Sequence, residues 1–322
     1  RNSSTHTSSN LLHRIVLTMK ASIILSFAFV LFLSSCETYT QEDYQEYYVV
    51  ESYLIADRQL PQVRLSTTEP IERFYSFEDV AVGGADVQLR LLQNDGQTID
   101  QVFPYTSDST GLYYALDRHD VLAERTYELY ITLNGGADII TATTFVPETF
   151  EVISEVMDTL IYQSTEQLEI TLSETSSITD QSVFIFNTLA QQPIPENLTP
   201  LYFDFYDQED NEVDAAELLG EFSNTSSGLL NEANFTNNED GSVTIRYPWI
   251  AVAFYGDNKL VASTVDDNIY DFFRSGSVQL GGSTLSPGEI QNVITRIDGG
   301  IGIFGSMASD TIDTFMAPNF DF

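Results

Sequence analysis

Cysteine and histidine are scarce in this 322-residue chain. Cys36 is the single cysteine, and of three histidines only His119 lies beyond it. A lone cysteine cannot form an internal disulfide, and one histidine excludes a zinc site built from several histidines. No G-x-S-x-G turn, phosphate-binding loop or dinucleotide-binding glycine pattern is present. His119 lies in a polar stretch between two predicted strands, which favours an exposed loop histidine, so we expect no enzyme and no firmly supported metal.

Basic residues are also few, with 13 Lys and Arg against 48 Asp and Glu and a net charge of -35. Such a surface repels nucleic acid and anionic lipid headgroups. Aromatic residues are plentiful by comparison, with 17 Tyr and 21 Phe. Disordered chains are poor in aromatics, so these numbers predict a folded, acidic protein without a nucleic-acid partner.

The chain has a prominent apolar run near its start. Residues 21–33 are uninterrupted apolar and small residues, preceded by Met19 and Lys20. Thirteen residues are too few for a transmembrane helix, which needs about 20, but they are typical of the core of a signal peptide. We interpret residues 19–35 as that peptide, and residues 1–18 as a leader that is not translated or follows a wrongly assigned start.

The residues that follow the run predict a lipid anchor. Leu33, Ser34 and Ser35 precede Cys36 and resemble a lipobox, the site where a lipoprotein signal peptidase cleaves. Cleavage would leave 10 basic and 48 acidic residues and a charge of -38. Residues 36–46 form a polar tether whose acidic character resembles the export signals of some surface lipoproteins. We expect an outer-membrane protein held by lipid on Cys36, on either face of that membrane.

Short strands separated by turns dominate the remaining sequence. Alternating apolar and polar residues predict strands, and 94–96 and 134–136 have the composition of turns. Capping residues predict short helices at 214–222, 264–275 and 286–297. The pattern indicates a mainly β protein: an N-terminal immunoglobulin-like or transthyretin-like β-sandwich over 47–147, and a second β-rich domain with a few short helices over 148–322. The predicted strands are 47–55, 63–67, 87–91, 127–133, 139–145, 168–172, 183–186, 201–206, 242–247 and 249–255.

Acidic side chains are densest between 204 and 217. Asp204, Asp207, Glu209 and Asp210 carry the oxygen ligands that calcium prefers. However, the spacing and central glycine of an EF-hand are missing, and a solvated loop that leads into a helix explains the same composition. Calcium therefore stays an alternative, and we expect no other cofactor.

Several motifs, in order, resemble the Bacteroidota outer-membrane lipoproteins grouped as domain-of-unknown-function family 4249. They are VVESYL at 49–54 with VRLS at 63–66, GADVQL at 84–89, YEL at 127–129 with TAT at 141–143 and VP at 146–147, and RIDGGIGIFG at 296–305. Ser52 departs from the glycine that is usual in the family. The resemblance implies a lipid-anchored envelope protein with an immunoglobulin-like or transthyretin-like first domain and no established catalytic residues. Genes of the family often lie beside those of TonB-dependent outer-membrane transporters, so the resemblance implies such a transporter as a partner.

The glycine-rich C-terminal motif has two interpretations. Gly299, Gly300, Gly302 and Phe304 would form an extended strand that lets the backbone of a partner approach closely. Alternatively, Gly299 and Gly300 form a turn between a helix and a strand that begins at Ile301, which we favour.

We expect a non-enzymatic accessory of a TonB-dependent outer-membrane transporter, acting in cargo capture or gating. The alternative is a stand-alone adhesin or glycan-binding module that uses exposed aromatics such as Tyr113, Tyr114, Tyr202 or Trp249. A hydrolase ranks third, because no pair of carboxylates stands out among 48 acidic residues.

Overall fold

The computed structural model describes residues 44–70, 72–107, 110–153, 159–174, 183–207, 214–230, 235–277 and 293–319. Within these ranges the protein is mainly β, as predicted. The strands are β1 Tyr48–Ile55, β2 Val63–Thr67, β3 Asp86–Leu92, β4 Ile99–Ser107, β5 Leu112–Ala115, β6 Thr126–Leu133, β7 Asp138–Phe145, β8 Thr159–Ile161, β9 Leu168–Leu172, β10 Phe184–Ala190, β11 Asn224–Leu229, β12 Phe235–Asn237, β13 Val243–Tyr247, β14 Gly256–Val265, β15 Ile297–Asp298 and β16 Ile301–Ala317. The helices are α1 Phe77–Val80, α2 Pro200–Tyr206, α3 Ala215–Ser223 and α4 Asp267–Ser277.

The larger sheet is organised around β16, which has 17 residues and extends over about 55 Å at 3.3 Å per residue. Its first half pairs with β1 in parallel, from Val49 opposite Ile301 to Ile55 opposite Met307. Its second half pairs with β14 in antiparallel register, and Gly256 lies opposite Met316. The strand order is β11-β10-β14-β16-β1-β2-β5-β4-β3-β6-β7-β15, with β8 beside the end of β16.

The N-terminal strands form the predicted β-sandwich. Strand β4 joins its two layers, because residues 99–104 pair with β3 while 105–107 pair with β5. The alternation in β6 buries Tyr127, Leu129, Ile131 and Leu133, as the period of two in the sequence predicts. The C-terminal segment completes the sandwich, because β15 pairs with β7 and β16 pairs with β1.

The second part adds β14, β10 and β11 to the same sheet and packs a three-stranded sheet, β12-β13-β9, against it. One cluster of buried apolar residues extends from Val50 and Leu129 to Phe184 and Ile245. The described residues from Glu46 onward form one compact unit. The boundary predicted at residue 147 therefore lies within a shared sheet and a shared core.

Two predicted strands are wrong. Residues 201–206 belong to helix α2, which begins with Pro200 at its first position. Residues 249–255 begin with a 3-10 turn at Trp249–Ala251 and continue without forming a strand. Both segments are short apolar runs next to a proline, and such runs lack the period that separates strand from helix.

The helix predictions have mixed outcomes. The prediction for 214–222 is confirmed, because Asp214 Oδ1 accepts a hydrogen bond from Ala216 N at 2.7 Å at the start of α3. Helix α4 begins after Asp266 rather than Thr264, and Asp266 Oδ1 accepts from Ile269 N at 3.0 Å. Of the helix predicted at 286–297, residues 286–292 lie outside the described ranges, 293–296 have no regular structure, and Ile297 lies in β15.

None of the helices in the described ranges combines the length and the hydropathy that crossing a membrane requires.

Candidate functional site

Part of the predicted sites lies outside the described residues. This applies to Cys36 and the three residues before it, Leu33, Ser34 and Ser35, and to Glu209 and Asp210 of the calcium hypothesis. Asp204 and Asp207 are exposed, on α2 and just after its end. No group of three or more potential metal ligands occurs within the described ranges. Lipidation of Cys36 and calcium binding both stay predictions.

The glycine-rich motif forms the crossover between the layers of the sandwich. The turn at Gly299 and Gly300 joins β15 to β16, so the two residues directly before the turn, Ile297 and Asp298, lie in a strand. A Cβ on Gly299 would lie 2.2 Å from Ile139 O, and one on Gly302 would lie 2.1 Å from Val50 O. Both glycines have positive φ, 79° and 111°. Close approach by the protein's own strands therefore requires glycine at these positions.

The hypothesis that this motif contacts a partner requires that its residues are exposed to solvent. Phe304 is 1% exposed, and its side chain belongs to the core. Gly302 is paired with Val50 in the sheet. Gly299 is exposed and Gly300 is partly exposed at the turn. A contact of this turn with a second protein stays a prediction, and the backbone of β1 occupies the position that we assigned to a partner.

A polar clamp, defined by Thr144, Asp266, Asn268 and Ser306, lies where β7, β16 and α4 meet. Thr144 Oγ1 contacts Asp266 Oδ2 and lies 2.7 Å from Ser306 Oγ. Asn268 Nδ2 donates to Thr143 O and Phe304 O, each at 2.7 Å. Asp266 N donates to Ser306 O at 3.0 Å. The clamp thereby satisfies backbone groups on the side of β16 opposite β1.

Asp266 supplies the carboxyl group of the clamp, and the pKa of that group is raised. Burial raises the pKa of Asp266 to about 6, although hydrogen bonds from Thr144, Ile269 N and Ser306 oppose that shift. Gly305 lies beneath it, and a Cβ there would lie 2.5 Å from Ile269 Cγ1 and 3.1 Å from Asp266 Oδ1. The clamp is thus closely packed, and its contacts are those of a structural joint. The sequence motif at 296–305 includes Gly305, but no pattern in the sequence pointed to Asp266.

His119 is more buried than we predicted. Its ring stacks on Phe103, with ring centroids 4.3 Å apart, and Nε2 lies 3.0 Å from Tyr127 Oη. Tyr127 Oη accepts from Leu122 N, so its own proton is available to Nε2. Burial lowers the pKa of His119, while the neighbouring Asp120 raises it. His119 is therefore half-buried, and its ring packs on Phe103 where we predicted an exposed loop histidine.

The second part contains a candidate binding cavity of about 570 Å³ between β11 and the three-stranded sheet. Apolar side chains such as Leu230 and Phe235 line it together with the polar Gln167, Ser227 and Arg246. Arg246 pairs with Glu169 at 3.1 Å. The volume is within the range of small-molecule sites, and the mixed lining can bind a partly apolar ligand.

Helix α2 lies near the end of β16, because Leu201 N donates to Tyr162 Oη and Tyr162 N donates to Ala317 O. Apolar side chains are exposed there, and we call this surface, made of Phe203, Phe205 and Ile250, the distal surface. Tyr202 Oη donates to Ile250 O at 3.0 Å, which joins α2 to the turn that carries Ile250. Of the aromatics proposed for an adhesin, Tyr114 is exposed and Tyr202 and Trp249 are half-buried. Tyr113 is 1% exposed and is therefore unavailable to a ligand.

Comparisons with known proteins identify a family and distant structural neighbours. A family model described as Domain of unknown function (DUF4249) matches residues 36–313. No curated protein matches the chain. Trypsin-activated alpha-2-macroglobulin from Escherichia coli aligns over 70% of this chain at 10% identity with a TM-score of 0.20, and an I-band fragment of titin aligns over 85% at 9% identity with a TM-score of 0.22. The chain spans 15% and 65% of the lengths of these two structures.

Proposed function

We propose that this chain, which belongs to the DUF4249 family, is a lipid-anchored, non-enzymatic envelope protein. In this proposal it assists a TonB-dependent outer-membrane transporter in cargo capture or gating. The observation that carries the anchor is the apolar run of 21–33 followed by small residues and the lone Cys36. A run of that length directs export without spanning the bilayer, and it delivers Cys36 to lipid-transferring enzymes.

The anchor must act without help from charge. The chain that follows the predicted cleavage has a net charge of -38, which anionic headgroups repel. A single acyl chain gives only marginal membrane binding, so stable attachment needs two or more. Diacylglycerol on the Cys36 thiol would supply the first two.

The geometry of β16 supports a role in presenting a binding surface. Tyr48 begins β1 twelve residues after Cys36, and twelve extended residues reach at most about 40 Å. The first half of β16 lies beside β1, while α2 lies near the other end, about 50 Å along the strand. A lipid on Cys36 would therefore hold the β1 end near the membrane and leave the distal surface and the cavity free to meet cargo or a partner.

The anchor has a direct test in Cys36→Ala, with Ser35→Ala as the matched control that keeps a small residue before the cysteine. We expect Cys36→Ala to stay uncleaved or leave the membrane fraction, and Ser35→Ala to be processed normally. Mass spectrometry of the N-terminus and membrane fractionation measure both outcomes. Continued partition of Cys36→Ala into the outer membrane would contradict the anchor.

The transporter role has a separate test. An affinity-tagged chain isolated from gently solubilised outer membranes should retain a TonB-dependent transporter, and the double substitution Phe203→Ala with Phe205→Ala should reduce that recovery. A double substitution of buried aromatic residues would report only on folding. The control is therefore Tyr114→Ala, at an exposed aromatic residue of β5. Isolation without a transporter, together with binding to glycans, would favour the stand-alone binding module.

A hydrolase is the weakest of the three functions. His119 is engaged with Tyr127 Oη, and burial lowers its pKa. A general base needs a free position next to the group from which it takes a proton.

A further inference from the structure

The segment that follows β2 carries an apolar tip, which we call the aromatic loop, residues 72–76. Phe74 is 100% exposed and Tyr75 is 63% exposed. Large aromatic side chains that stand fully in solvent side by side are uncommon on monomeric proteins, and they mark sites of interaction with partners or membranes.

Contacts at its base hold the aromatic loop in one arrangement. Arg64 Nη2 donates to Tyr75 Oη at 3.1 Å, and Arg64 Nη1 pairs with Glu51 at 2.9 Å. The Arg64 guanidinium also lies 3.9 Å from the centre of the Phe77 ring. With Tyr75 fixed by its hydroxyl and Phe77 covered by Arg64, Phe74 is the side chain that projects from the loop.

The chain enters the aromatic loop from the end of the sandwich where β1 begins. Tyr47 N donates to Thr68 Oγ1 at 3.0 Å, and Thr68 N donates to Tyr47 O at 2.9 Å. These two hydrogen bonds join Thr68, the residue after β2, to Tyr47, the residue before β1. Tyr47 is itself exposed.

Resting on the proposed function, we infer that the aromatic loop docks on the lipid surface that holds Cys36, with Phe74 at the boundary between headgroups and acyl chains. The eleven residues from Cys36 to Tyr47 reach at most about 40 Å, so this end of the sandwich is the end that a lipid on Cys36 keeps close to the bilayer. Aromatic side chains favour the membrane interface, where an apolar ring and a polar group are both accommodated.

The charges around the loop specify the kind of lipid. Arg73 lies 3.5 Å from Glu69 and is partly neutralised, while Glu72, Glu78 and Asp79 are exposed acids. Acidic groups next to Phe74 disfavour anionic headgroups and leave a zwitterionic surface as the preferred partner. The loop then adds a second point of attachment to the acyl chains, which would fix the orientation of the sandwich.

Fluorescence in vesicles tests this inference on the full lipidated chain. Phe74→Trp is compared with Phe203→Trp, which introduces tryptophan at an exposed phenylalanine on the distal surface, and the parent chain reports the contribution of Trp249. In phosphatidylcholine vesicles with brominated acyl chains, we expect quenching of Phe74→Trp to exceed that of Phe203→Trp by about threefold, because only the loop meets the interface. Adding phosphatidylglycerol should weaken the quenching.

The outcomes separate this inference from the proposed function. Equal quenching of the two variants, in a chain whose mass shows lipid on Cys36, would overturn the inference and leave the anchor in place. A chain that carries no lipid on Cys36 would overturn the anchor itself. A photo-crosslinking residue at position 74 that captures a protein in cells, with no lipid adduct, would also overturn the inference and identify a protein as the partner.

Discussion

The two halves of β16 differ in how completely neighbouring elements cover them. In the first half, residues 303–306 are all buried, because β1 lies on one side and the start of α4 on the other. In the second half, burial alternates: Thr311, Asp313 and Phe315 are exposed, while Thr314 and Met316 are buried. An enclosed strand needs glycine where a neighbouring element approaches most closely, as at Gly302 and Gly305, whereas a strand with a free face tolerates ordinary alternation.

The largest expected effect is that of Gly302→Ala in the first half. The new Cβ would lie 2.1 Å from Val50 O at a φ of 111°, so backbone must move. We expect a loss of roughly 4 kcal/mol in the free energy of unfolding, from clash and strain together. Gly256→Ala is the matched control, because Gly256 has a φ of 90° with no atom within 4 Å of its Cβ, and should cost about 1 kcal/mol. If urea denaturation shows that the two variants lose equal free energy of unfolding, the close approach at Gly302 has no special cost and the prediction is contradicted.

A pH effect follows from Asp266 in the clamp. Its folded pKa is about 6 and its ordinary value 3.8, so the folded protein keeps a proton that the unfolded chain has lost between these values. Stability from this group is complete below about pH 4, falls as pH rises, and reaches its lowest level above about pH 6, a change of roughly 3 kcal/mol. Asp266→Asn should flatten the stability profile in this window, whereas exposed Asp267→Asn should change it only slightly, because repulsion from Asp267 is the weakest cause of the shift. Parallel profiles of Asp266→Asn and the parent in pH-dependent denaturation would refute this.

Removing a hydroxyl from the clamp should have a smaller effect. Ser306 is fully buried and donates to Phe145 O at 2.9 Å. Ser306→Ala removes that donor and the contact with Thr144, so we expect a loss of about 1.5 kcal/mol. Thr311→Ala, at an exposed position of the second half, should stay within about 0.5 kcal/mol of the parent in the same thermal unfolding assay. The contrast fails if Thr311→Ala is the more destabilised variant.

The smallest expected effect is that of an exposed ion pair in the second half. Lys259 Nζ lies 2.7 Å from Asp313, and both side chains are largely accessible to water. We expect Lys259→Met to change the free energy of unfolding by less than about 0.5 kcal/mol, since water and salt screen such a pair. Thermal melts at low and high salt measure this, and a loss larger than that of Ser306→Ala would reverse the ranking of the two halves.

The parts of the fold that follow local rules could be predicted from the sequence. Strand β6 is one such element, because each second residue from Tyr127 is apolar, and α3 is another, because Asp214 accepts the first free amide. Helix α2 could not be predicted, because its aromatic run is compatible with strand or helix. The stacking of His119 on Phe103 was equally hidden, since it depends on a strand contributed by another part of the chain.

The candidate sites show the same limit. The motif at 296–305 was recognised from sequence, but its role in closing the sandwich was not, because β15 and β16 pair with strands more than 150 residues earlier. Asp266 was likewise invisible, since only packing distinguishes its carboxyl group from those of the other acidic residues, 48 in all. Patterns with a short period report on neighbours in sequence and carry no information on distant partners.

The parallel pairing of β1 with β16 has a consequence for how the molecule is made. Val49 is synthesised early, yet its neighbour Ile301 follows 252 residues later. Contacts of such sequence separation slow folding, and until they form, β1 and β7 each present an open edge to other chains. The newly made polypeptide would therefore need protection from aggregation until its last strand arrives.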